Sequence, residues 1–296
     1  MRETPGTLED LRSEIDQIDD ALQDLLVRRA AVTRSIAQVK HGGAAPERVP
    51  LAAALRPARE ALILRRLLAR HGELPPQLVV GIWREIIAAS LRAQSDFHAH
   101  VYAEADETAY VGMARTYFGS ATPIRTHSKA SLVVHACAEE RNALGVVPLP
   151  EMEEPGASWW AQLAPAGERG PRVIARLPVT VNGDDSPAAY VIGAIEHEPT
   201  GDDTTLLLLE IPSGMSRARL QAMLKDAGLA ARLAARGRTS EKTVPDEVLL
   251  ELKGFVGKDD KRLAALQDAA GDTIARIALI GGFANPVAVR ESKGQR

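Results

Sequence analysis

The chain has 296 residues, with 36 Lys and Arg against 39 Asp and Glu, a net charge of −3 and 4% aromatic residues. The length suits two or three domains, and near-balanced charge with few aromatics argues against a basic nucleic-acid stripe or a base-stacking platform. A single cysteine, Cys137, excludes an internal disulfide, and runs such as Leu206–Leu209 are far too short to span a bilayer, so a soluble cytoplasmic protein with no membrane partner is expected.

The run from Thr7 to Lys40 carries apolar residues at Leu8, Leu11, Ile15, Ile18, Leu22, Leu25, Val32, Ile36 and Val39. Steps of three and four predict one continuous helix with a narrow apolar seam, opened by a capping-box-like Thr7 and Asp10. Such a helix would be roughly 50 Å long. Short neighbours cannot cover that length, so the seam predicts a homodimer built along it.

Arg29 interrupts the seam between Leu25 and Val32. A lone guanidinium there costs several kcal/mol unless an anion meets it. Lys40, eleven residues on, returns to nearly the same face at about 100° per residue. Arg12 lies on the same helix but roughly 25 Å from Arg29. One small ligand therefore cannot touch both within a chain, whereas an antiparallel partner can supply Arg12 to the site of Arg29. Two identical sites shared between subunits follow.

After Lys40 the segment His41–Leu55 reads as a loop. Pro57 opens a second helix that Gly72 ends, with Arg59 and Glu60 in its first turn. Pro75 and Pro76 open a third helix to about Ser95, on which Trp83, Ile87, Ser90 and Gln94 form one row. The strings LEDLRSEIDQIDDALQDLLVRRAAVTRSIAQVK, RPAREALILRRLL and IWREIIAASLRAQ resemble the all-helical class of chorismate mutase. The resemblance implies a three-helix domain over residues 1–96 that forms an intertwined helical dimer. It also implies roles. Arg12 reaches across the dimer, Arg29 holds a substrate carboxylate, and Lys40 meets the ether oxygen. Arg59 and Glu60 form the family's Arg-Glu pair, with Glu60 on the substrate hydroxyl, while Ser90 and Gln94 match its serine and ether-contacting glutamine. Arg56 departs from the family, some members of which carry aspartate there.

The implied reaction is the intramolecular rearrangement of chorismate to prephenate in aromatic amino-acid biosynthesis. It requires no nucleophile, metal or cofactor. Arginines would clamp the two carboxylates, and Lys40 with Gln94 would stabilise charge on the breaking ether bond, each donor contributing roughly 3 kcal/mol.

Residues 97–200 alternate strand and helix: strand 100–103, helix 108–118, strand 123–126, helix 131–140 and strand 143–148. The order VYAEADETAYVGMARTYFG followed by GVVPLPE is similar to the first lobe of prephenate dehydratase. The family's Gly-Pro-Glu-Gly-Thr-Phe, Glu-Asn-Ser and Thr-Arg-Phe elements are replaced by residues 104–109, 151–153 and 187–190, so a degenerate, non-dehydrating α/β lobe is expected. His98 and His100 point the same way from a strand, but the sequence offers no third ligand, and no metal is expected. Trp159 and Trp160 are expected to cover a lobe edge.

Residues 203–290 read as strand 204–211, helix 216–227, strand 230–235, strand 247–254, helix 259–269 and strand 274–280. This β-α-β-β-α-β order is ferredoxin-like. It resembles an ACT domain, whose effector-gripping turn survives at Gly214 and Met215, while the family's Glu-Ser-Arg-Pro element is replaced by residues 234–237, of which Arg236 remains, so half of the grip is missing. The leading expectation is a dimeric chorismate mutase. The alternatives are a bifunctional mutase–dehydratase, a non-catalytic amino-acid-sensing regulator, and a lyase acting on isochorismate.

Overall fold

The computed structural model describes residues 7–40, 48–104, 108–155, 158–164, 170–182, 187–238 and 244–289. Helix α1 spans Leu8–Lys40 without a break. Thr7 opens it: its amide and hydroxyl donate to Asp10 Oδ2 at 2.9 and 2.7 Å, and the Asp10 amide donates back to Thr7 Oγ1 at 3.2 Å. These bonds hold the Asp10 carboxyl below its usual range. The expected loop His41–Leu55 is corrected in part. Residues 41–47 lie outside the described residues, and Leu51–Ala54 form a helical turn, α2, pinned because Leu51 and Leu55 are buried. Helices α3 (Pro57–Leu68) and α4 (Pro76–Arg92) each begin on a proline, whose missing N–H costs nothing in the first turn.

The rest of the chain runs β1 (His98–Tyr102), α5 (Ala109–Phe118), β2 (Ile124–His127), α6 (Ala130–Glu139), β3 (Ala143–Pro148), β4 (Glu153–Pro155), β5 (Arg172–Leu177), β6 (Thr180–Val181) and β7 (Ala189–Gly193). It continues with β8 (Asp203–Ile211), α7 (Arg217–Asp226), β9 (Ala231–Arg238), β10 (Asp246–Lys253), α8 (Lys261–Ala270), β11 (Arg276–Ala284) and β12 (Val287–Ala288). Among the described residues ten strands share one sheet, in the order β2-β1-β3-β7-β5-β11-β8-β10-β9-β4. The first three are parallel, and β11-β8-β10-β9 are antiparallel throughout. The β-α-β-β-α-β order read from residues 203–290 is thus observed.

The two parts of the sheet meet where Gly281 of β11 pairs with Val173 of β5. Gly281 has φ +117°, and a Cβ there would sit 2.1 Å from the Val173 carbonyl oxygen. Only glycine allows the backbones that close. The segment Glu153–Pro155 pairs with β9 at the far edge of the strand order.

The strand β8 explains the run Leu206–Leu209. Leu206 and Leu208 face one core with Trp160, Tyr190 and Ile192, while Leu207 and Leu209 face another with Leu220, Leu224 and Leu266. A strand covered on both faces has no polar side, which is why it reads as an unbroken apolar run. Trp160 is fully buried in the first of these cores, with Trp159 beside it, rather than lying at an edge.

Helix α1 is the opposite case. Leu8, Leu11, Ile15, Ile18, Leu22, Leu25, Val32 and Ile36 are all exposed. Each such side chain left in water forgoes about 1.5–3 kcal/mol relative to burial. Among the described residues no helix is long and apolar enough to cross a membrane.

Candidate active site

Two helices of the first hundred residues are bolted to α5 and to loops that border the sheet. At the N-cap of α3, Arg56 donates through Nε and Nη2 to the carboxylate of Glu198, at 2.9–3.1 Å. Arg65 donates to Thr200 Oγ1 at 2.8 Å and to the Asn285 carbonyl at 3.0 Å. On α4, Arg84 donates to the Tyr117 carbonyl through Nε at 2.8 Å, and Glu85 Oε1 accepts the Ser120 amide at 2.7 Å. The departure at Arg56 therefore has a local use, as a clamp between α3 and the loop before β8.

This anchoring sets α4 against α1. Arg29 of α1 donates from Nη1 to Ser90 Oγ at 2.6 Å, and Ser90 in turn donates to the Ile86 carbonyl at 2.9 Å. The guanidinium carbon of Arg29 lies 5.9 Å from the Trp83 ring centroid, within cation–π range. Among the described residues no carboxylate meets Arg29. Burial lowers its pKa from the ordinary arginine value, yet a guanidinium stays charged. Gln94 lies one turn beyond Ser90, its Nε2 donating to the Ser90 carbonyl at 2.9 Å. Trp83 and Ser90 of the expected row thus meet Arg29, and Gln94 follows one turn on. The Trp83 contact was not foreseen; its place in the row was the available signal.

The other candidates stand as follows. Arg12 is exposed on α1, well away from Arg29 along the same helix. Lys40 ends α1, but its side chain lies outside the described residues. Arg59 is exposed on α3. Glu60 is buried and is not brought to Arg29: its Oε2 accepts from Arg84 Nη1 at 2.7 Å. Arg84 is the residue that sequence reasoning missed, since nothing in its spacing separates it from a surface arginine. It is 3% exposed, donates from Nη2 as well to the Tyr117 carbonyl, and sits 3.8 Å over the Tyr117 ring.

In the C-terminal part of the chain, Gly214 (φ +94°) and Met215 form the turn before α7. Arg236 of β9 reaches them, with Nη2 3.3 Å from the Met215 carbonyl and 2.6 Å from Asp246 Oδ2. The three residues named for an effector are therefore neighbours, although Asp246 already occupies the arginine.

Residues 11–95 match the family model of chorismate mutase type II. No curated protein matches the sequence. Solved structures that resemble the chain include GqqA, described as a novel type of quorum quenching acylase, with TM-score 0.46 and 12% identity over 63% of this chain and 94% of that one. Prephenate dehydratase from Streptococcus mutans gives 0.43 and 13%, over 65% and 100%. Prephenate dehydratase from Arthrobacter aurescens, in complex with L-Phe, gives 0.45 and 10%, over 64% and 90%. At such TM-scores and identities these likenesses carry no argument about chemistry.

Proposed function

We propose that the chorismate mutase type II domain at residues 11–95 isomerises chorismate to prephenate in sites shared between two copies of the chain. One observation carries the reading. Arg29 is a half-buried cation whose described partners are a neutral hydroxyl and an indole face. A cation so placed is completed by an anion, and chorismate brings two carboxylates.

In this reading Arg29 binds one carboxylate through the donors that Ser90 leaves free. The exposed seam of α1 pairs with the same helix of a second chain, run antiparallel, which delivers the partner's Arg12 to the other carboxylate. Gln94 turns from the Ser90 carbonyl to the ether oxygen, and Lys40 donates to the same atom. Charge grows on that oxygen as the bond breaks, so each donor acts more strongly on the transition state than on the substrate, by roughly 3 kcal/mol. Arg59 lines the entrance. Glu60, expected on the substrate hydroxyl, is instead held by Arg84 and takes no part in this reading.

Residues 97–200 are read as a dehydratase-like lobe without dehydratase activity, and residues 203–290 as an ACT-like unit. Gly214, Met215 and Arg236 would hold an amino-acid effector there once Arg236 exchanges Asp246 for the ligand carboxylate. The protein is placed in the cytoplasm.

The test is to supply chorismate, and separately prephenate, to the purified chain and identify each product with and without phenylalanine. Prephenate from chorismate, from a species of dimer mass, is the expected result. Failure to convert chorismate sinks the proposal, and phenylpyruvate from prephenate would replace it with the bifunctional reading.

A further inference from the structure

We propose that His98, His100 and Glu140 form a binding site for one divalent transition metal of the zinc class. His98 and His100 stand two residues apart on β1, so both rings leave the same face of the sheet. Glu140 caps the C-terminal end of α6, in the turn that leads to β3, and its carboxylate reaches that face. No local spacing connects it with the histidines; only the parallel pairing of β1 with β3 brings them together.

The separations suit a common ion. His98 Nε2 lies 3.2 Å from His100 Nε2. Glu140 Oε2 lies 2.7 Å from His98 Nε2, and Oε1 lies 3.4 Å from His100 Nε2. With bonds of about 2.0–2.2 Å to nitrogen and oxygen, two ligands of a tetrahedral zinc ion stand roughly 3.3 Å apart. The observed distances bracket that value, and a ligand atom from each residue lies within 4.8 Å of the others.

Protons alone serve this arrangement poorly. With hydrogens on both Nε2 atoms, each N–H has a Glu140 oxygen to meet, at 2.7 and 3.4 Å, but the two N–H groups also crowd each other at 3.2 Å. With lone pairs on both, two acceptors crowd a carboxylate. With one hydrogen on His98, a single N–H must serve His100 and Glu140 together. A cation among them satisfies both lone pairs and the carboxylate at once.

A second observation points the same way. His100 Nδ1 lies 2.8 Å from His127 Nε2 of β2. His100 pairs in register with Arg125, so His127, two residues on, shares the face. When His100 Nδ1 donates to His127, its Nε2 is left bare and aimed at Glu140. Ligating histidines are oriented in this way by a partner on the other ring nitrogen.

Arg125 Nη1 lies 3.2 Å from both oxygens of Glu140 and is itself exposed. It steadies the carboxylate from the solvent side and keeps one oxygen when the other ligates. The C-terminal end of α6 adds a favourable potential for a cation. His98 and Glu140 are 21% and 39% exposed, so a fourth coordination position opens to solvent and takes water or an anionic group. A two-histidine, one-carboxylate set with an open position is a zinc-type set; the order of affinities places Cu2+ above Zn2+ and Co2+ below it.

The test uses the tag-free, chelator-treated full chain, titrated with Zn2+ by calorimetry and with Co2+ by visible absorption. One ion per chain is expected, with intense tetrahedral Co2+ bands and a higher melting temperature in Zn2+. His98→Ala and Glu140→Gln, both at partly exposed positions, should each weaken binding by 100-fold or about that. His127→Phe should weaken it about 10-fold while the Co2+ bands keep their tetrahedral form. Absence of stoichiometric binding to the folded wild type overturns the proposal, as does binding that His98→Ala and Glu140→Gln leave unchanged. Neither result bears on the isomerase reading, which is measured separately.

Discussion

Arg84 and Arg29 stand on neighbouring helices and are used in opposite ways. Around Arg84 everything is matched: Glu60 takes one nitrogen, the Tyr117 carbonyl takes two more, and the Tyr117 ring covers the face. Burial pulls its pKa down, but Glu60 and Tyr117 outweigh that and leave it above the ordinary arginine value. Around Arg29 burial acts alone and the value falls. One partner is a hydroxyl, and no anion among the described residues answers the charge. The difference separates an arginine whose charge is matched within the fold from one whose charge meets no anion among the described residues.

Replacing Arg84 should break the first arrangement most severely. Arg84→Met leaves Glu60 buried and unpaired, and a loss of about 3–5 kcal/mol in urea unfolding is expected. The double variant with Glu60→Gln should recover part of it. If Arg84→Met unfolds with the wild type, the two arginines are not different in kind.

Arg29→Ala should do the reverse. Its kcat/KM for chorismate should fall 100- to 1,000-fold, or roughly 2.7–4 kcal/mol, while stability falls by about 1.5 kcal/mol or less, since the one charged hydrogen bond to Ser90 that it loses is half-exposed. Arg29→Lys should restore little, because an ammonium cannot bind a carboxylate in two places.

Mixing sharpens the comparison further. Chains carrying Arg12→Ala and chains carrying Arg29→Ala should each be inactive as homodimers. Once mixed and re-equilibrated, half the dimers are heterodimers with one intact site of two, so about a quarter of wild-type activity should return. No recovery would mean that the two cations serve one chain, or separate sites. Ser90→Ala should have the smallest effect. It removes the bond that aims Arg29 but leaves the charge, so a fall of about 5-fold in kcat/KM, near 1 kcal/mol, is expected. Across all these variants that keep Gln94, the pH profile of kcat should stay broad. Gln94→Glu should confine activity to acid pH, since a carboxyl donates to the ether oxygen only while protonated.

The helices α1, α3 and α4, the row through Ser90 and Gln94, and the β-α-β-β-α-β order at the C-terminal end were legible in the residues alone. Each rests on local rules: a 3.6-residue period, prolines at helix starts, and alternation broken by turns. Strands β5 and β7 were not legible. The strand β7 is buried along its whole length, so it lacks the polar side that would have marked it. The turn α2 was missed because only its packing holds it.

What tertiary structure alone decided is which charges meet. Glu60 finds Arg84, 24 positions away, and Arg56 finds Glu198, 142 positions away. Glu140 reaches His98 and His100 because three strands run parallel. An amino-acid sequence names a carboxylate but not its neighbour, since Coulomb and hydrogen-bond terms depend on distance in space and not along the chain. It does establish, through periodicity, that α1 must hide an apolar seam and that Arg29 lies within it. Packing then determined that Ser90 and Trp83 reach Arg29, and that among the described residues no carboxylate does and the seam finds no cover.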